Sequence, residues 1–139
     1  MTKKSEKLAA LIEQFREQDL DPHYLAYFDC FNRQLFYEAH EVLEQLWLPQ
    51  RRGPDASFYK GLIQLSGAFV HLQKRRLGPA TALFKLAQTN LSKYPALHHR
   101  LDIAKALTMI QTCLGQLESN EFLTNPLCLE TAPRLELEK

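Results

Sequence analysis

One segment, residues 31–47, constrains the fold of this chain more than any other. Its apolar residues recur at the spacing of an α-helix, about 100° per residue. One face of that helix carries Phe36, Ala39, Leu43, Leu46 and Trp47. His40 lies at the edge of this face, and Glu44 lies just beyond it. We therefore expect a helix that packs on a core and has a titratable pair at its border.

The same periodicity recurs along most of the chain. It predicts helices over residues 3–18, 22–31, 35–48, 56–76, 79–93 and 96–118, separated by turns rich in proline and glycine. Residues 121–139 alternate polar and apolar positions and contain Pro126 and Pro133. The fold class is thus all-α. We expect a single compact bundle of about five or six helices over residues 1–120, followed by an extended or partly disordered tail over 121–139.

Two predicted helices carry more apolar surface than one core face requires. The helix over 56–76 has a stripe of Phe58, Leu62, Leu65, Phe69 and Leu72, and its small residues Gly61 and Ala68 would let a neighbouring helix approach closely. The helix over 96–118 has two stripes. One is Leu97, Leu101, Ala104 and Leu107, and the other is Ile103, Ile110, Leu114 and Leu117. The first helix is expected at the centre of the bundle. The second is expected to face two neighbours, or one neighbour and a partner subunit.

The composition excludes several classes of function. A formal net charge of +1 gives no overall attraction for nucleic acid, so we expect no nucleic-acid partner. The sequence has neither a signal peptide nor an apolar run long enough for a membrane span, which predicts a cytoplasmic protein without membrane contact. Its 3 cysteines have no zinc-type spacing, and we expect reduced thiols.

The polar residues around His40 allow two interpretations. His40 and Glu44 lie at i and i+4, a spacing that permits either a hydrogen bond or a shared metal ion. In the functional interpretation both are metal ligands, Glu41 is a base, and another helix supplies a third ligand. In the structural interpretation His40 is a half-buried residue whose polar atoms are satisfied by Glu44 or the backbone. No complete catalytic constellation is present, so no catalytic residue is assigned and the metal remains unknown.

Other residues extend or surround this polar site. Gln64 and His71 are seven residues apart on one helix and would complete a polar pocket with His40. Tyr37 and Trp47 are expected to support the core as packed aromatic residues. Asp55 is expected to cap the helix that follows it, and the basic run His98, His99 and Arg100 to lie solvated near a helix end.

The residues quoted above resemble a known family. The stretches 36–47 and 58–65, followed by His71 and Leu72, are similar to the bacterial and archaeal family called domain of unknown function 309, over about residues 28–95. The resemblance implies a small all-helical prokaryotic fold, and it implies no activity. The positions that match the family motif are Glu38, His40, Glu41, Glu44, Trp47, Gly61, Gln64 and His71.

Two hypotheses for function follow. In the first, the chain is a non-catalytic binding or protein-interaction domain, whose His/Glu cluster supports the core and whose partner is another protein or a second copy of itself. It needs no cofactor. In the second, it is a metal-binding protein or metal-dependent hydrolase that holds a divalent ion with His40 and Glu44, assisted by Glu41, Gln64 and His71.

Overall fold

The computed structural model describes residues 3–119, 125–127 and 132–138. The described residues form six α-helices: α1 (Lys3–Glu13), α2 (Pro22–Asn32), α3 (Phe36–Trp47), α4 (Ala56–Gln73), α5 (Leu77–Leu91) and α6 (Ile103–Ser119). A short 3-10 turn, Leu48–Gln50, follows α3. The all-helical class and the number of helices are as the sequence predicts. Among the described helices, none has the length and apolar character that crossing a bilayer requires.

Helix α4 is the centre of the bundle. Its predicted stripe of Phe58, Leu62, Leu65, Phe69 and Leu72 is buried throughout. Helices α3 and α5 both pack against it, α2 packs on α3, and α6 packs on α5. Gly61 allows the close approach of α5, because a Cβ atom at this position would lie 2.9 Å from Leu91 Cγ. The predicted role of Gly61 as a close-packing position is therefore confirmed.

Helices α2 and α4 end in the same kind of turn. Gln34 has φ of 61° and Arg75 has φ of 58°, the left-handed conformation common just after a helix. The amides of the next residues, Leu35 and Arg76, donate to the carbonyls of Cys30 and His71, each at 2.8 Å. The two turns also meet, since Gln73 Nε2 donates to the Gln34 carbonyl at 3.1 Å. Helix α4 therefore ends at Gln73, three residues before the predicted end at residue 76.

The last helix begins seven residues later than the sequence predicts, so the predicted start at residue 96 is wrong. Residues Leu97–His98 and Leu101–Asp102 form two short antiparallel strands, β1 and β2, and α6 begins only at Ile103. His99 and Arg100, at φ of 47° and 63°, make the two-residue turn between them. Leu97 is 57% exposed and Ala104 is also exposed, so the first of the two predicted apolar stripes is not a helix face. These residues therefore offer no continuous apolar helix face to a partner subunit.

The described part of the C-terminal tail is extended and attached to the bundle. Leu135 is buried, and the side chain of Asn32 makes two hydrogen bonds to its backbone, one to N and one to O, both 2.8 Å. Leu137 forms a bridge with Leu101 of β2, and the Glu138 amide donates to the Arg100 carbonyl at 2.6 Å. The predicted extended conformation holds for residues 125–127 and 132–138, which contain no helix. Predictions for the other tail residues lie outside the described residues.

Candidate functional site

A cleft of about 300 Å³ opens between α3, α4 and α5. Helix α3 contributes two side chains, α4 contributes most of the floor, and α5 contributes one side chain. The lining residues are Tyr37, His40, Lys60, Ile63, Gln64, Gly67, Val70, His71 and Leu83. The predicted site residues His40, Gln64 and His71 thus share one cleft. Glu41 and Glu44 lie beside His40 and are not among the residues that line it.

His40 lies between the two glutamates. Its Nδ1 atom is 3.6 Å from Glu41 Oε1, and its Nε2 atom is 3.4 Å from Glu44 Oε2. The ring of Tyr37 stacks on the imidazole at 6.1 Å between centroids. Nδ1 is buried and makes no hydrogen bond to any described residue. The structural interpretation expected the polar atoms of His40 to be satisfied, and this atom is not.

The arrangement around His40 does not favour a metal ion shared with both glutamates. The two nitrogens of an imidazole ring point to opposite sides, and here each faces a different carboxylate. A single ion bound to one nitrogen would therefore lie far from one of the two glutamates. Within the described residues, the group of three ligand atoms close enough for one ion is elsewhere in the molecule.

His71 is the second histidine that lines the cleft. Burial, together with the positive charges of Arg76 and Lys74, lowers the pKa of His71 below its ordinary value. Its Nδ1 atom is buried and has no hydrogen-bond partner in the part of the chain that the structure describes. Two histidines with an unsatisfied buried nitrogen therefore line the same cleft.

Gln64 and Lys60 supply the remaining strongly polar groups. Gln64 Oε1 accepts a hydrogen bond from Asn90 Nδ2 at 2.7 Å, which fixes the orientation of the amide and leaves its NH₂ group as the free donor end. Lys60 Nζ lies 4.4 Å from the centroid of the Trp47 ring, in a cation–π contact. Both side chains are thus held in place by neighbours outside the cleft.

The predictions for the two aromatic residues have different outcomes. Trp47 packs partly buried against the core, in the supporting position that was expected. Tyr37 is 45% exposed, so the prediction that it packs in the core is wrong. It lies on the side of α3 that faces the cleft, where its ring covers His40 instead of entering the bundle.

A second polar cluster was not predicted as a site. His98 Nε2 and His99 Nε2 lie 2.8 Å from Asp55 Oδ1 and Oδ2, respectively. Asp55 precedes α4 but makes no side-chain capping bond, so the predicted cap is wrong. The prediction that His98, His99 and Arg100 are a solvated basic run is wrong as well, because Arg100 also pairs with a carboxylate, that of Asp19, at 2.6 Å.

Aromatic rings surround this histidine–aspartate cluster of Asp55, His98 and His99. The His98 ring lies 4.8 Å from both Phe58 and Tyr94, and the His99 ring stacks parallel to Tyr59 at 6.3 Å. Burial alone would raise the pKa of Asp55, but the hydrogen bonds from His99 and His98 outweigh it and lower the pKa. The carboxylate is therefore ionised, and each of its two oxygens accepts a hydrogen bond from one imidazole.

The described cysteines do not contribute a nucleophile. Cys30 and Cys113 are free and buried. Burial raises the pKa of each thiol to about 11, so both are protonated near neutral pH. The third cysteine, Cys128, lies outside the described residues.

The fold and cleft define a small all-α domain with a polar cleft between its three central helices. Residues 24–83 match the model of the family described as Domain of unknown function (DUF309), which supports the resemblance found in the sequence. Comparison with curated proteins gives no match, and comparison with solved structures gives none either. All residues that line the cleft fall inside the matched region, whereas His98 and His99 lie beyond it.

Proposed function

We propose that this domain is a non-catalytic binding domain whose cleft takes a small organic anion. The observation that carries the proposal is the chemistry of the lining. Its polar side chains can all donate a hydrogen bond, and no carboxylate is among the described residues that line it; these side chains are Tyr37, His40, Lys60, Gln64 and His71. A ligand rich in acceptor oxygens, such as a carboxylate or a phosphate ester, matches this set of donors.

The charge around the cleft supports an anion. Lys60 lies in the lining, and the positive charges of Arg76 and Lys74 add to the effect of burial in lowering the pKa of His71. An anion bound near His71 would offset these positive charges and would raise that pKa. The proposal therefore predicts a change that can be measured at a single residue.

The apolar part of the lining indicates what else the ligand carries. Ile63, Val70 and Leu83 form the apolar walls. Gly67 allows Leu83 of α5 to approach α4 closely, because a Cβ atom at residue 67 would lie 3.3 Å from Leu83 Cδ1. A volume of about 300 Å³ is at the lower end of the range for small-molecule sites. The ligand class that fits is a short aliphatic or aromatic group bearing one anionic end.

The test is titration calorimetry with matched pairs of probes. Hexanoate, benzoate and phenyl phosphate are compared with hexanamide and benzamide, which keep the apolar body and remove the charge. We expect at least one anion to bind and its amide to bind at least about tenfold more weakly, since a charge-assisted hydrogen bond contributes about 1.5–3 kcal/mol. Bound anion should also raise the pKa of His71, measured by NMR.

Lysine variants locate the binding. Lys60→Met should weaken anion binding by about tenfold or more. Lys85→Met is the matched control, because Lys85 is on the exposed side of α5 and pairs with Glu118 at 3.3 Å. Equal affinity for an anion and its amide, or unchanged affinity in Lys60→Met, would contradict the proposal. Binding only of an acidic protein segment would assign the cleft to a protein partner instead.

A further inference from the structure

We propose that Asp55, His98 and His99 form a binding site for one divalent transition-metal ion, with Zn²⁺ as the reference ion. This site is separate from the cleft and does not depend on the function proposed for it. Two imidazole nitrogens and one carboxylate are a common ligand set for zinc and related ions, which accept nitrogen and oxygen donors.

The three ligand atoms are already close together. One atom from each residue lies within 4.8 Å of the other two. Each histidine presents Nε2, at 2.8 Å from a separate oxygen of Asp55. Ligands of a tetrahedral zinc ion with bonds of about 2.0–2.1 Å lie about 3.3 Å apart. To hold an ion, the Nε2–O distances of 2.8 Å must lengthen by about half an ångström, and ligand atoms that lie up to 4.8 Å apart must approach by up to about 1.5 Å.

The backbone holds both histidines on the same side of the hairpin. Adjacent residues of a regular strand point to opposite faces, but the positive φ of His99 turns its side chain to the side of His98. The Tyr24 hydroxyl donates to the His99 carbonyl at 2.8 Å and stabilises this turn. The aromatic neighbours of both imidazoles limit their rotation, so the ligands are arranged before an ion binds.

The local charge favours a cation. The cluster contributes one ionised carboxylate and two imidazoles. The adjacent guanidinium group of Arg100 is engaged by Asp19 at 2.6 Å and does not bind Asp55. When an ion replaces the two N–H···O hydrogen bonds, the proton on each Nε2 leaves for Nδ1 or for solvent, and Nε2 becomes the ligand. No oxidant or further reactant is needed.

The three side chains are partly exposed, with 24%, 23% and 36% of the side chains of Asp55, His98 and His99 accessible. An ion can therefore enter from solvent, and water can complete its coordination. Asp55 and the two histidines are separated by 43 and 44 residues along the chain. A bound ion would thus join the start of α4 to the hairpin before α6.

The first experiment is titration calorimetry of the full chain with ZnCl₂, after treatment with a chelator and its removal. We expect one ion per chain and a rise in melting temperature that EDTA reverses. CoCl₂ should give the visible absorption of a four- or five-coordinate ion. Failure to bind a stoichiometric ion would overturn the proposal and would leave the anion-binding proposal unaffected.

Glutamine variants decide which histidines bind the ion. His99→Gln, at the most exposed ligand, should fold and should lose at least about tenfold in zinc affinity, and His98→Gln should do the same. His23→Gln is the matched control, because His23 also contacts an aspartate, Asp21, at 3.2 Å, but as a single pair. Unchanged affinity in His99→Gln, or loss of binding in His40→Gln with retention in His99→Gln, would contradict the assignment.

Discussion

His71 combines two properties that make its protonation unfavourable in the folded protein. Its Nδ1 atom is buried without a hydrogen bond, and burial together with the cations Arg76 and Lys74 lowers its pKa below the ordinary value of 6.5. In the unfolded chain the pKa returns to that value, so the unfolded state takes up a proton at higher pH. The stability linked to neutral His71 is therefore complete above pH 6.5 and is lost as the pH falls through the lower pKa of the folded state.

We predict that this linkage is visible in denaturation experiments. The free energy of unfolding of the wild type, measured with urea at about pH 7.5 and about pH 5, should fall more than that of His71→Gln. Glutamine keeps a polar side chain but does not titrate. An equal fall in both proteins would show that His71 does not carry the linkage.

Single residues also show what the sequence can reveal about sites. His40, Gln64 and His71 could be grouped in advance, because helical spacing places Gln64 and His71 two turns apart on one face. The pairing of Asp55 with His98 and His99 could not, since it depends on how residues 43 and 44 positions apart meet in space. The sequence does show two adjacent histidines, but together with Arg100 they indicate a solvated basic run and not a site.

Among the elements, the contact between α4 and α5 depends on a position without a side chain. A Cβ atom at Gly61 would lie 2.9 Å from Leu91 Cγ and 3.2 Å from Asn90 Cβ. We predict that Gly61→Ala lowers the free energy of unfolding by about 1–3 kcal/mol, as overpacked core substitutions do. Thermal and urea denaturation at neutral pH measure the effect.

Gly115 is the matched control within another helix. A Cβ atom there would meet nothing within 4 Å, so Gly115→Ala should raise stability by about 0.5–1 kcal/mol through the better helix propensity of alanine. If Gly61→Ala proved as stable as Gly115→Ala, the helices would not depend on this close approach.

The elements themselves were largely predictable, and the exception has a physical cause. Leu97, Leu101 and Ala104 follow helical spacing, and this led to a helix predicted from residue 96. The chain instead turns at His99 and Arg100, where two residues adopt positive φ without glycine. Contacts outside the hairpin stabilise that turn, including the Tyr24 hydroxyl on the His99 carbonyl, so local sequence did not indicate it.

At the level of the whole molecule, Asn32 attaches the C-terminal segment to the bundle. Its amide satisfies both the N–H and the carbonyl of Leu135. We predict that Asn32→Ala accelerates amide exchange at Leu135 and Glu138 while the exchange of α4 and α5 changes little. Loss of these two partners should lower the free energy of unfolding by about 1–3 kcal/mol.

Glu136→Ala tests whether that effect is specific. Glu136 lies in the same segment, but its pair with Arg134 at 3.1 Å is highly exposed, and such pairs contribute little. Equal exchange in the Asn32→Ala and Glu136→Ala proteins would mean that Asn32 does not hold the segment. The sequence indicated an extended tail from its prolines, but it gave no sign of a partner 103 residues away.

The attachment of Leu135 to Asn32 has a consequence for the order of folding. Helices α4 and α5 are joined by a turn of three residues and can pack early, whereas contacts across 103 residues require closure of a long loop. The C-terminal segment should therefore dock after the transition state for folding. In stopped-flow experiments, Asn32→Ala should then accelerate unfolding and leave the folding rate nearly unchanged.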